Sequence, residues 1–450
     1  MSAPAPLPAS GAAAPRRLER SLGVWFGIAV GVGSMIGAGI LRAPADVAAR
    51  LPSPWLFLGV WVIGGTYALL GANAIAELAT IVPRSGGQYV FVRHALGPYA
   101  GFVVGWNDWL STSGSVAAIA IVEAEAIGAL VPALAGRHLL VAEIGVAITA
   151  ALLVRGVRES DRAQRTTSLL KGLVLIALIA ACFAWRAAGG SVAPPVRTLP
   201  TPHGWALAAA IAAALQGVIF AYDGWTGMIY FSGEVRDPAR EIPRALAGGL
   251  VATIGIYVLL NAAILAVLPL DAIAGSPLAA ATAMGAIVGD RGALLVQLLI
   301  ALALPSALVA NTLCASRVAF ALGQDRLAPP ICGRVNEGGT PAVSLVVTAA
   351  ATALLLLTGT FERLIAICAF LFVASYALSF TSVFVLRRRE PGIARPYRAW
   401  GHPWTTGTVL AGSVAFLVAT IAAAPRDGMI VAALVAASYP IHRIVARANP

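Results

Sequence analysis

The chain has 450 residues, 59% of them hydrophobic and 11% charged, with a mean hydropathy of +0.84. Soluble domains run at roughly 45–50% apolar and 25% charged residues, so this composition excludes a water-solvated globule and requires lipid as solvent. The formal charge of +11 would suit nucleic acid, but the basic residues fall in connectors and near the ends of apolar runs rather than on one face, which points to membrane topology and not to a nucleic-acid surface.

Residues 1–20 are rich in Ala and Pro, end in Arg16, Arg17 and Arg20, and hold no apolar stretch, so they read as a disordered cytosolic tail rather than a signal peptide. Twelve apolar runs follow: 22–48, 55–80, 100–127, 139–154, 167–185, 205–232, 245–268, 291–322, 342–357, 362–386, 404–424 and 428–446. Most approach or exceed the roughly 20 residues that a spanning helix needs. The expected fold is an all-α polytopic membrane protein of twelve transmembrane helices. With the N-terminus in the cytosol, the heavier share of the arginines falls on the inner side, above all in RGVRESDRAQR and RRREPGIARPYR, and the C-terminus is cytosolic as well.

Span 1 contains GVGSMIGAGI (Gly31 to Ile40), with four glycines in ten residues. Gly23, Gly27 and Gly31 recur every fourth residue and read as a small-residue packing stripe. Gly33, Gly37 and Gly39 depart from that spacing and flank Ser34 and Ala38, which predicts a functional break in the helix. Span 3 carries Asp108 in GWNDWL, of undetermined role, then Ser111, Thr112, Ser113 and Ser115. With Asn311 of span 8, Ser111 and Ser115 are candidate pocket residues, although such side chains also bond between helices. Glu77, Glu123, Glu125 and Glu143 lie near span ends and are expected to be hydrated.

Span 5 holds Lys171, the only lysine of the chain. One reading has it snorkel to the cytosolic headgroups. The other turns it inward, where its ammonium takes the place of a sodium ion between helices 1, 5 and 8, against carbonyls near the span 1 break. Span 6 contains FAYDGWTG (Phe220 to Gly227), a second expected break. Its Tyr222 and Trp225 lie mid-span and read as occluding aromatics. Asp223 reads as a cap for the second half of the span, with direct contact to a cationic substrate as the alternative. Glu234, Asp237, Arg240 and Arg244 follow on the cytosolic side, either as an inner gate or as a solvated loop.

Two breaks five spans apart imply an inverted repeat, spans 1–5 within residues 21–190 and spans 6–10 within 191–390, with spans 11 and 12 appended in 391–450. A broken helix bares carbonyls at the end of its first half and amides at the start of its second. A zwitterionic amino acid fits both: its carboxylate on amides around Ala38 and Gly39, its ammonium on carbonyls near Met35 and at Phe220, Ala221 and Asp223. Four scattered cysteines without CxxC spacing or a His cluster indicate neither a metal site nor a disulfide framework. No paired mid-span Asp, Ser–His arrangement, HExxH or nucleotide-binding loop suggests an enzyme. No cofactor is expected.

The stretches GSMIGAGIL, PRSGGQYVFVRHALGP, FAYDGWTGMIYFSGEVRDPAREIPRAL and SRVAFALGQDRLAP resemble the amino acid-polyamine-organocation superfamily, most closely its L-type amino acid transporter branch, over nearly the whole chain. The resemblance implies a five-plus-five inverted repeat with substrate at discontinuous helices 1 and 6. It implies backbone contacts from Met35, Gly37, Ala38, Gly39, Phe220, Ala221 and Asp223, a gating aromatic at Trp225, and a coupling lysine at Lys171 that replaces sodium or exchanges protons. The chain departs from the pattern at Ala38, where many relatives have serine; this removes a hydroxyl but no amide. Members that pair with a glycoprotein heavy chain carry a cysteine between helices 3 and 4. Residues 128–138 hold none, so no disulfide-linked partner is expected. The expected activity is sodium-independent exchange or proton-linked uptake of neutral L-amino acids across the cell membrane. Cationic amino acid or polyamine antiport is the alternative, and Lys171 argues against a sodium symporter.

Overall fold

The computed structural model describes residues 23–84, 86–155, 161–196, 200–336, 340–358 and 360–448. The expected tail at 1–20 and part of the RGVRESDRAQR connector lie outside them. Lipid offers no water to bond peptide groups, so an apolar chain pairs its N–H and C=O groups within each segment. All twelve predicted runs are accordingly helical among the described residues.

The first run is split into α1 (Val24–Met35) and α2 (Ala38–Arg50). Then come α3 (Pro54–Ile81), a short α4 (Gln88–Leu96), α5 (Pro98–Leu130), α6 (His138–Val154) and α7 (Asp161–Ala187). The sixth run is α8 (Gly204–Tyr222) followed by a 3-10 helix, Trp225–Glu234. The seventh is α9 (Pro238–Leu265), which leads through α10 (Leu270–Ala274) and α11 (Ala279–Val288) to α12 (Asp290–Gln324). The chain finishes with α13 (Ala342–Leu356), α14 (Phe361–Arg389), α15 (Trp404–Ala423), α16 (Pro425–Ala436) and α17 (Ser438–Ala448). Prolines open α3, α5 and α9, where the missing N–H breaks no helical bond.

Among the described residues nine helices are long and apolar enough to cross a bilayer, and ten if the bent pair α1–α2 counts as one span. The other two runs, α6 and α13, are 17 and 15 residues long. At 1.5 Å per residue they reach about 23–26 Å, short of a core of roughly 30 Å. The outward faces are apolar: Leu169, Leu170, Leu173 and Ile176 of α7, and Leu294, Leu295, Leu298 and Leu302 of α12, are all exposed. Asn73, Asn107, Asp108, Thr253 and Asn261 are buried within the largely apolar core, away from the outward faces. The chain is a multi-pass membrane protein.

The helices form two packing groups. In one, α5, α6, α12 and α13 pack on one another. In the other, α1, α3 and α9 pack together with the 3-10 helix, and α2 and α3 pack on α8. Helix α14 touches both groups through α5, α8 and α3.

Glu77 departs from its expected hydration. At 1% side-chain exposure it accepts hydrogen bonds from Arg387 Nε (2.9 Å) and Nη2 (2.6 Å) and from the Ala399 amide (2.7 Å). Three charge-assisted or amide donors replace its water. Asn73, one turn earlier, bonds Trp400 and Tyr397, so the connector at 390–403 is folded onto the end of α3.

Candidate functional site

Both expected interruptions are present. Helix α1 stops at Met35, Ile36 turns to φ −72 and ψ 93, Gly37 is extended, and α2 resumes at Ala38 with its axis turned by 48°. Helix α8 stops at Tyr222, Asp223 takes φ −58 and ψ 151, and Gly224 adopts φ +101, a left-handed conformation that suits glycine. A Cβ on Gly224 would also stand 2.8 Å from the Ser34 Cβ, so the second break is pressed against the first. The closest approach is at Gly39, where a Cβ would lie 2.6 Å from the Ala221 Cα. Gly27 packs equally tightly on Ala245 and Met228, while a Cβ on Gly37 would meet nothing within 4 Å.

No side chain caps the first turn of α2, and Ala38, Gly39 and Ile40 are buried. Its leading amides therefore form a sheltered, partly positive end. On the carbonyl side stands a residue that sequence reading missed. Tyr257 of α9, fully buried, donates its hydroxyl to the Met35 carbonyl (2.6 Å) and lies 3.0 Å from the Ala221 carbonyl. One hydroxyl proton serves both carbonyls, each of which has a second lone pair. The Phe220 carbonyl, expected to be free, receives the Asp223 amide at 3.3 Å. A polar residue in the apolar run of span 7 was the available signal for Tyr257.

Lys171 is 8% exposed, whereas its neighbours Leu169 and Leu170 are 65% and 50% exposed. It lines a cavity of about 330 Å³ with Ile36 and Gly37 of the first break and with Ala280, Ile300 and Leu304 of α11 and α12, in an otherwise apolar wall. Its side chain is thus turned into the protein. Asp223 accepts from the Tyr376 hydroxyl at 2.7 Å. Trp225, 3% exposed, stacks obliquely on Tyr376 at 5.2 Å. Tyr222 differs from its expected role as an occluding aromatic: its hydroxyl bonds the Trp61 carbonyl, and its ring packs with Trp61 and Tyr257 behind the breaks. Ser111, Ser115 and Asn311 donate to the carbonyls of Asp108, Ser111 and Ala307 on their own helices, which uses the one proton of each serine and one of the two amide protons of Asn311.

On one side of the breaks Phe220 meets Phe361 edge to face at 5.9 Å, and the Arg42 guanidinium lies 5.7 Å over the Phe361 ring. Arg42 pairs with Glu362 (3.0 Å) and Glu125 (3.4 Å), joining α2, α5 and α14. The Tyr230 hydroxyl lies 2.8 and 2.7 Å from the two Asp108 oxygens, joining the 3-10 helix to α5. Of the charges after span 6, Asp237 and Arg240 make an exposed pair at 3.8 Å within one helical turn, and the Glu234 side chain lies outside the described residues. Among the described residues no His, Cys, Asp and Glu cluster could hold a metal ion.

Residues 22–440 match the amino acid permease family. The chain is similar to the serine/threonine exchanger SteT of Bacillus subtilis, at 26% identity over 90% of this chain and 92% of that protein. It is 31% identical to an uncharacterized transporter of Mycobacterium tuberculosis, covering 96% and 93%. It also resembles the mouse b(0,+)-type amino acid transporter 1, at 26% identity over 85% and 79%.

Proposed function

The chain belongs to the amino acid permease family, and from that premise we propose that it moves amino acids across the cell membrane by alternating access, as a sodium-independent exchanger or a proton-linked importer. The observation that carries this reading is the contact of two broken helices at Gly39 and Ala221, with the uncapped amides of α2 on one side and the carbonyls of Met35 and Ala221 on the other. The substrate carboxylate lies on the amides of Ala38 and Gly39, and its ammonium uses the second lone pairs of the two carbonyls beside Asp223. Gly37 leaves room for it, and Phe220 and Trp225 cover it. Backbone groups read what all amino acids share, so neutral L-amino acids are accommodated; the similarity to a serine/threonine exchanger supports small polar ones.

Lys171 is the coupling residue in this reading, since a buried ammonium beside Ile36 and Gly37 supplies the positive charge that sodium would bring. The two packing groups join spans 3, 4, 8 and 9 on one side and spans 1, 2, 6 and 7 on the other, which supports twelve spans with a five-plus-five repeat and rocking of one group against the other. The arginine bias supports cytosolic termini. The lack of cysteine at 128–138 supports transport without a disulfide-linked partner.

The test is uptake of a radiolabelled amino acid panel into proteoliposomes, with and without internal amino acid and under sodium or pH gradients. Stimulation by internal amino acid or by an inward proton gradient, at equal rates with and without sodium, is expected. Dependence on sodium, or no uptake of any amino acid, would overturn the reading.

A further inference from the structure

We propose that the connector between α14 and α15 is a docking surface for an anionic phospholipid of the bilayer, its phosphate held by Arg388 and Arg398 at the level marked by Trp400 and Trp404. Arg388 lies twelve residues beyond Tyr376 on α14, about 18 Å along the helix from the contact with the second break.

Residues 387–398 carry five arginines and one glutamate. Two of the arginines are used inside the fold. Arg387 holds both oxygens of the buried Glu77. Arg395, at 6% side-chain exposure, stands 3.5 Å from the same carboxylate and donates to the carbonyls of Leu386, Glu390, Pro391 and Ile393. Arg389 reaches the Ala95 carbonyl at 3.4 Å, and Glu390 faces His94 at 3.3 Å. Arg388 and Arg398 are left over: both are exposed, and neither makes a hydrogen bond or ion pair among the described residues. The buried knot fixes where they stand. Arg387 and the Ala399 amide bond one carboxylate, so their chain neighbours 388 and 398 flank a single corner of the fold at the end of α3.

Two tryptophans set that corner against the bilayer. Trp404 opens α15, a helix long and apolar enough to span, and is 82% exposed. Trp400 is 54% exposed, while its backbone is pinned by Asn73 and Thr405. An indole bared at the end of a spanning helix belongs at the headgroup level, with its ring among apolar groups and its N–H among polar ones. Arginines at that level meet phosphates, whose oxygens match the guanidinium fork. A zwitterionic headgroup offsets its phosphate with its own ammonium, whereas two arginines that meet no carboxylate favour a headgroup of net negative charge. The pinned connector holds them in place beforehand, which lowers the ordering cost of binding.

The experiment titrates the detergent-purified full chain with phosphatidylglycerol, with phosphatidylcholine of the same acyl chains and with inorganic phosphate. Melting temperature and, by native mass spectrometry, retained lipid are read. One arginine near an anionic surface contributes roughly fivefold in affinity. Phosphatidylglycerol should therefore stabilise the wild-type chain at a concentration about tenfold or more below phosphatidylcholine. Arg388→Gln and Arg398→Gln should each narrow that gap about fivefold, and together bring it to near one. The double replacement by lysine should keep most of it. Arg240→Gln, at an arginine of another connector that is 77% exposed, should leave it unchanged, which separates a site from the general attraction of basic loops. Equal stabilisation by the two lipids, a gap that survives the double glutamine replacement, or one that closes as far in Arg240→Gln overturns the proposal. Stabilisation by inorganic phosphate matching that of phosphatidylglycerol overturns a lipid as the occupant. Because lipid binding is the readout, failure here and failure of the transport reading are separate results.

Discussion

At the break in span 1 the chain leaves α1 at Met35 and returns to α-helix at Ala38 with no side chain capping the start of α2. At the break in span 6 it leaves α8 at Tyr222, crosses a left-handed Gly224 and continues as a 3-10 helix, while Asp223 is held by Tyr376. The first break keeps its amides bare and the second is furnished with side chains. An anion needs only fixed N–H groups, which a clean helix start supplies. A surface that tells one side chain from another needs groups that differ in charge and shape, and the second break and its neighbours supply carboxylates, tyrosines and an indole. Tyr257 ties the two together by reaching one carbonyl from each.

If the breaks divide labour in this way, substitutions at them should differ in kind as well as size. The largest effect is expected at their contact. Gly39→Ala places a methyl 2.6 Å from the Ala221 Cα, which is backbone and cannot swing aside, so uptake should fall at least a hundredfold while detergent-purified protein remains monodisperse. Next is Lys171→Ala, which empties the positive charge beside Ile36 and Gly37; uptake should drop about tenfold or more, consistent with the loss of one buried charge. Retained uptake with unchanged pH dependence would reduce Lys171 to a packing role. Tyr257→Phe removes one hydroxyl from two buried carbonyls, about 1–2 kcal/mol, or roughly five- to thirtyfold in KM for every amino acid alike. An effect confined to one substrate would mean that Tyr257 serves selectivity and not the shared zwitterion. The smallest effect is expected away from both breaks. Gly59→Ala of α3, where a Cβ meets nothing within 4 Å, should leave uptake within about twofold and melting slightly raised.

The two breaks were legible because their causes are local. Clustered glycines weaken a helix wherever they occur, and Tyr-Asp-Gly-Trp in an apolar run is turn chemistry. The lipid-facing composition and the helical runs follow in the same way from what a bilayer demands. What escaped depends on packing between residues far apart in the chain. Tyr257 meets Met35 across 222 positions, and Glu77 meets Arg387 across 310. A glutamate near a span end has the same local surroundings whether it meets water or a folded connector, so its burial could not be read. Tyr222 illustrates the converse: its mid-span position was plain, but the rotation that turns it toward Trp61, away from the second break, is set by tertiary contacts.

The central claim is that bare peptide ends at two facing breaks grip both charges of an amino acid. Its most direct test is binding of a transported amino acid to the purified protein, measured against its methyl ester and its N-acetyl derivative by ligand-induced thermal stabilisation. The free amino acid should stabilise the protein, and each derivative, lacking one charge, should bind at least tenfold more weakly. Equal stabilisation by the ester or by the N-acetyl compound would contradict the claim.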